Sequence, residues 1–222
     1  MILNLVNSYK AVLFDFEGTL VNFQWKTEEA MGEALTALET LGFDVNVFRR
    51  YDYSELFNKA VDESERLGLP LELVRGKIEE VYDRFDMDGV QRSTPREDAK
   101  YVLENLMKEG VLTGLVTNAG RKAISLLLER FDFKRLLSVV ITRNDVEKLK
   151  PHGESILKAI DTLQLGKRKI LFVGDSVTDI RATLQVGIEV AIVLGGESKT
   201  QDIEKCNPRY ILRSLSEVLE II

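Results

Sequence analysis

Ala11, Val12, Leu13 and Phe14 form an apolar run with no polar alternation, the pattern of a strand buried on both faces of a parallel sheet. The run stops at an acid, Asp15, and the stretch KAVLFDFEGTLV then turns through Gly18 and Thr19. After Val21 the period changes. Trp25, Ala30, Met31, Ala34, Leu35, Leu38 and Leu41 recur at helical spacing, with Gly42 behind them as a C-cap, predicting one long helix. A second helix is predicted over about 53–67, and a third follows Pro70 through Leu73, Ile78, Val81, Tyr82 and Phe85. No convincing strand separates them. The segment from about Phe23 to Thr94 therefore reads as a helical insertion, closed by Ser93-Thr94-Pro95.

From Pro95 onward the pattern alternates. Helix 96–108 precedes strand 112–117, helix 121–130 precedes strand 138–142, and helix 154–163 precedes strand 169–173. Helix 178–185 then precedes strand 189–193, and a last strand begins at Tyr210 to Leu212 with a helix after it. This rhythm predicts an α/β fold whose parallel strands are joined by right-handed crossovers. With 222 residues there is room for one substantial core plus a smaller inserted unit.

Charge and composition narrow the function. A net charge of -6 leaves no basic excess to neutralise a nucleic-acid backbone, so no nucleic-acid partner is expected. One cysteine, Cys206, and one histidine rule out an intramolecular disulfide and a Cys/His zinc cage, which fits a reducing cytoplasm. The opening MILNLVNSYK lacks a basic start, a long apolar stretch and a small-residue cleavage site, so no signal peptide is expected. No apolar run approaches the ~20 residues that cross a bilayer. A soluble cytoplasmic protein, monomer or homodimer, without a membrane partner is the expectation.

Four segments carry candidate chemistry. In open α/β sheets ligands bind outside the carboxyl ends of the strands, so Asp15 is placed as a nucleophile with Glu17 beside it as an acid/base. Thr117-Asn118-Ala119-Gly120 ends a strand just before a helix; a hydroxyl and backbone N–H groups there make a phosphate cradle, and the same residues suit a helix cap. Lys150 stands directly before Pro151, a position that holds the backbone extended and lets the ammonium reach an anionic centre. In ILFVGDSVTD a strand again ends on an acid, Asp175, and Asp179 follows in the first helical turn. Such hard oxygen ligands suit Mg²⁺.

In this order the four segments resemble the haloacid dehalogenase-like hydrolases over the whole chain. That family's first motif, Asp-x-Asp-Gly-Thr, is similar to Asp15-Phe16-Glu17-Gly18-Thr19; its Ser or Thr falls on Thr117, its Lys on Lys150, and its acidic fourth motif on Asp175 and Asp179. The helical insertion resembles the cap of the phosphoglycolate phosphatase and β-phosphoglucomutase branch. The resemblance implies a Rossmann-like core from residues 1–21 and 95–222, a small α-helical cap from 22–94, and a Mg²⁺-dependent phosphatase acting on a small phosphorylated metabolite. In that scheme Asp15 attacks phosphorus, and Mg²⁺ is held by Asp15, the backbone carbonyl of Glu17 and Asp175. Asp179 orients the metal's waters or Lys150. Thr117, Asn118 and Lys150 stabilise the phosphoryl charge, while Glu17 protonates the leaving oxygen and then activates water.

Glu17 departs from the family's Asp. The added methylene shifts the carboxyl by about 1 Å, a displacement that costs ~10²-fold in rate. A sugar-phosphate mutase, a 2-haloacid dehalogenase, and a weakly active or non-catalytic phosphate-binding member stay open beside the phosphatase. His152 reads as incidental, Phe23 as a pocket residue, and Trp25 as cap core. Arg49, Arg50 and Lys59 read as surface charge, and the crossings near Val21 and Pro95 as a hinge for the cap.

Overall fold

The computed structural model describes residues 9–222, so most of the opening MILNLVNSYK, the stretch tested for a signal peptide, lies outside the described residues. β1 (Ala11–Phe14) sits at the centre of a six-stranded sheet. The others are β4 (Leu112–Val116), β5 (Val139–Ile141), β6 (Ile170–Gly174), β7 (Glu189–Val193) and β8 (Tyr210–Leu212), in the order β5-β4-β1-β6-β7-β8. Every pairing is parallel. The chain therefore forms the Rossmann-like α/β sheet that the strand–helix alternation predicts.

Successive β1 side chains serve opposite layers, because neighbouring side chains of a strand point to opposite faces. Ala11 and Leu13 pack with residues of α6 (Glu154–Leu163), α7 (Val177–Val186) and α8 (Thr200–Cys206). Val12 and Phe14 pack with α4 (Ala99–Lys108), α5 (Arg121–Arg130) and Leu215 and Val218 of a terminal 3₁₀ run. Each fully buried Leu, Ile, Val or Phe side chain here contributes ~1.5–3 kcal/mol, which is why the run tolerates no polar alternation.

Between β1 and β4 the chain leaves the sheet. β2 (Val21–Asn22) and β3 (Thr94–Pro95) pair antiparallel as a two-stranded ribbon. Between them lie α1 (Thr27–Thr40), α2 (Tyr53–Arg66) and α3 (Leu71–Val90), whose buried Ala34, Leu38, Leu56, Phe57, Ile78 and Tyr82 join the apolar cluster of the α6/α7 layer. Gly42, at φ +87°, takes the left-handed turn after α1 that its position suggested.

Several boundaries differ from the sequence expectation. α1 starts at Thr27, not at Trp25, because Lys26 leaves the helical region and Trp25 instead packs against Tyr53, Tyr82 and Phe85. α4 starts at Ala99 rather than Arg96: the Arg96 N–H donates to Leu20 O (2.9 Å) and its guanidinium to Gly18 O (2.8 Å), which holds the chain extended beside the ribbon. The ribbon strands and α8 have no counterpart in the hydropathy reading, and the terminal helix is a 3₁₀ run, Leu215–Glu220. Among the described residues no helix is long and apolar enough to cross a membrane.

Candidate active site

The chain winds outward from β1 to β4 and β5, then returns to β1's other side with β6. The direction of winding reverses there, and ligands of open α/β sheets bind at such a reversal. Asp15 follows β1 and Asp175 follows β6 at this point, both buried. The Asp15 N–H donates to Val173 O (2.9 Å), so the two strand ends are in register. Gly18, at φ +77°, folds its loop directly over Asp175, and a Cβ there would collide with that carboxylate. Thr19 Oγ1 donates to Asp175 Oδ1 (3.0 Å), and the Glu197 N–H donates to Asp175 Oδ2 (2.6 Å).

Lys150 enters from the loop before α6 and is buried. Its Nζ donates to Asp15 Oδ1 (2.6 Å), Asp179 Oδ1 (2.8 Å) and Val116 O (3.1 Å), and lies 5.4 Å from the centre of the Phe172 ring. Asp179 is fully engaged. Its Oδ2 accepts from Ser176 Oγ (2.9 Å) and from the N–H groups of Asp175 and Ser176 (3.2 Å each), while Ser176 Oγ accepts from the Asp179 N–H, the reciprocal cap that starts α7.

Carboxylate oxygens of Asp15, Asp175 and Asp179 lie within 4.8 Å of one another. Three carboxylates thus face one ammonium. Burial pushes Asp15 up to about 8, with Asp179 and Asp175 adding to it against the pull of Lys150. Burial and Asp179 push Asp175 up to about 7. For Lys150 burial works downward, but Asp15 and Asp179 outweigh it and hold the ammonium above its ordinary range. The deficit of positive charge is what a divalent cation fills, and oxygen-only donors around a cavity of about 20 Å³, room for one water-sized species, fit Mg²⁺.

Residues 12–193 match the family model of the haloacid dehalogenase-like hydrolases. The chain belongs to that family. A phosphoglycolate phosphatase of Photorhabdus laumondii is 28% identical over 221 residues, covering 98% of this chain and 94% of that protein. A pyrophosphatase PpaX of Bacillus thuringiensis is 27% identical over 215 residues, with 95% of each chain covered. A crystal structure of a HAD-superfamily hydrolase of subfamily IA from Geobacter sulfurreducens shares the fold at a TM-score of 0.60, with 20% identity and coverage of 96% of this chain and 100% of that one.

In this haloacid dehalogenase-like hydrolase, Glu17 lines the central cavity together with Asp15, Asn118, Lys150, Asp175 and Asp179. Its side chain makes no hydrogen bond among the described residues. Burial, then Asp86, Asp15 and Glu197, raise its pKa well above the usual carboxylate range. Asn118 clamps the lysine's backbone: Nδ2 donates to Lys150 O (3.0 Å) and Oδ1 accepts from the Lys150 N–H (2.9 Å). Thr117 is buried but does not line the cavity; its Oγ1 accepts from the Ala119 N–H (3.0 Å), the local-turn role that competed with the phosphate cradle. Exposed His152 lies outside the cavity.

Sequence reasoning missed two parts of the hydrolase. One is Glu197, which stands on the loop after β7 beyond Gly195-Gly196; two glycines behind a buried strand were the available signal. The other is a buried ion pair between core and insertion. Arg143, 1% exposed, donates to Asp86 Oδ2 (2.6 Å) and to Asp83 on α3, and to Asn118 O (3.0 Å). Asp86 Oδ2 also accepts from the Gly120 N–H (2.8 Å), at a position where any side chain would collide with this pair. Nothing in the sequence pairs residues 57 positions apart.

Proposed function

We propose that this hydrolase is a Mg²⁺-dependent phosphatase that cleaves a small phosphorylated metabolite through an aspartyl-phosphate on Asp15. The observation that carries the reading is a buried nucleophile candidate held by Lys150, with an acid, Glu17, two residues on, whose side chain makes no hydrogen bond among the described residues and which burial pushes well above the usual carboxylate range. Asp15, Asp175 and the Glu17 backbone carbonyl would hold the metal, with Asp179 spent on fixing Lys150. When bound, Mg²⁺ offsets the negative charge of the carboxylates and phosphoryl oxygens, so that the two approach each other.

The Asp15 carboxylate attacks phosphorus as the ester P–O bond breaks, and Glu17 delivers its proton to the departing alkoxide. Glu17, now a carboxylate, takes a proton from a water that attacks the aspartyl-phosphate; the Asp15–phosphorus link breaks and phosphate leaves. Lys150 and the Asn118 loop stabilise the charge spread over the transferring oxygens. A free Cys206 is in keeping with a reducing cytoplasm.

Hydrolysis of p-nitrophenyl phosphate with and without Mg²⁺ tests the reading. Turnover is expected only with metal, to vanish in Asp15→Asn, and to fall ~10²- to 10⁴-fold in Glu17→Gln. Metal-independent turnover, or full activity in Asp15→Asn, would sink it.

A further inference from the structure

Next to the central cavity, and sharing Glu17, Tyr53 and Glu197 with it, lies a second cavity of about 340 Å³. In the phosphatase reading, on which this inference rests, a phosphoryl group at Asp15 directs its alcohol part toward this space. Its aromatic lining is Phe23, Trp25 and Tyr53, the last two with ring centres 4.9 Å apart and planes tilted by 59°, so that they form a corner. Its acidic lining is Glu17 and Glu197, and no Lys, Arg or His lines it among the described residues. The Glu197 side chain makes no hydrogen bond or ion pair among them either. Exposed Asp52, the cap of α2, adds a further negative charge at the wall of the central cavity.

Most basic groups nearby are occupied; Lys199, two residues after Glu197, shares an adjoining cavity with it but does not line this one. Arg96 donates to Gly18 O (2.8 Å) and Leu194 O (3.2 Å), Arg92 to Asp88 (2.7 Å) and Gln24 O (3.1 Å), and Lys26 pairs with Asp88 (3.4 Å). Arg50 lies over Tyr51, Lys59 pairs with Glu63, and Arg181 pairs with Glu55. A leaving group that carries a carboxylate or a second phosphate would meet like charge with no cation in the described lining of this cavity to answer it, a juxtaposition that selects against a ligand. An ammonium would meet an unpaired carboxylate and aromatic faces, the two surroundings that attract it most.

We infer that the substrate is a phosphomonoester of an amino alcohol, its ammonium seated between Glu197 and the Trp25–Tyr53 corner, and that Glu197 is the residue that selects it. The ligand is then dipolar, as the cleft is: phosphoryl end at Lys150, cationic end at Glu197. Phosphoglycolate and pyrophosphate, named in the relatives, are the wrong charge for this pocket.

Trp25 is the only tryptophan, so its fluorescence reports on the pocket directly. Asp15→Asn protein with Mg²⁺, which does not turn over, is titrated with choline phosphate and with phosphoglycolate. Choline phosphate is expected to bind at least about tenfold more tightly, the equivalent of ~1.4 kcal/mol. That preference disappears with Glu197→Gln added and reverses with Glu197→Lys. In Asp15-containing protein the kcat/KM ratio of the two esters follows the same order. Equal or tighter binding of phosphoglycolate, or a preference untouched in Glu197→Lys, overturns the inference while leaving p-nitrophenyl phosphate hydrolysis intact. Preferential binding of choline phosphate without hydrolysis of any ester would instead uphold the pocket and overturn the phosphatase.

Discussion

Two cations are buried among the described residues, and each grips carboxylates, yet their settings differ. Arg143 spreads its guanidinium over Asp86, Asp83 and the Asn118 carbonyl, and one of its carboxylates, Asp83, is 43% exposed and so remains partly solvated. Lys150 faces Asp15 and Asp179 within hydrogen-bonding distance and Asp175 beyond them, all buried. The first group has one carboxylate in contact with water and a planar fork that fixes its partners, so it joins α3 to the core. The second is short of positive charge; burial first, with neighbouring carboxylates adding to it, raises Asp15 to about 8 and Asp175 to about 7. Similar ingredients become a brace in one place and a reactive centre in the other, according to how completely the charge is balanced.

The largest expected effect breaks the brace. Arg143→Met leaves Asp86 buried without its ion-pair partner and should lower the unfolding free energy by ~3–5 kcal/mol in urea melts. Adding Asp86→Leu should restore most of it; no restoration would mean that Arg143 acts through Asn118 rather than through its ion pair. A step smaller, Lys150→Met should reduce Mg²⁺-dependent turnover ~10²- to 10³-fold, the cost of one lost charge-stabilising donor. Intact activity there would remove the distinction between brace and reactive centre.

The smallest effect sharpens the comparison through pH. Asp15 and Asp175 keep their protons in the folded chain up to about 8 and about 7, whereas their ordinary value is 3.8. Between those limits the folded state binds more protons than the unfolded, so stability falls as pH rises, by up to ~1.4 kcal/mol per pH unit for each proton. Chelator-treated protein should therefore lose stability from about pH 4 to about pH 8. Excess Mg²⁺ should reduce that slope, and a slope indifferent to metal would place the excess protons on carboxyls away from the cation site.

How much was legible follows the range of the interactions involved. Asp15 and Asp175 were readable because each ends an apolar strand, and strand ends in parallel sheets converge. Lys150 was readable from Pro151. Thr117 was only half readable, since a hydroxyl at a strand end serves a turn as readily as a ligand, and here its oxygen accepts from Ala119. Trp25 fits the helical period of α1 yet packs outside that helix, because apolar spacing reports the face a residue shares and not where hydrogen bonding begins.

By itself the sequence determined the periodicities, and with them the α/β class, the helical segment between Val21 and Thr94, and the strand-end acids. These are local properties, set by side-chain spacing within a dozen residues. Only the tertiary structure decided which charges meet: that Asp179 is spent on Lys150, that Arg143 reaches Asp86, and that Glu197 shares with an aromatic corner a cavity that no cation lines among the described residues. Coulomb interactions act through space between residues far apart in the chain, so only the packed fold establishes the distances that set their strength.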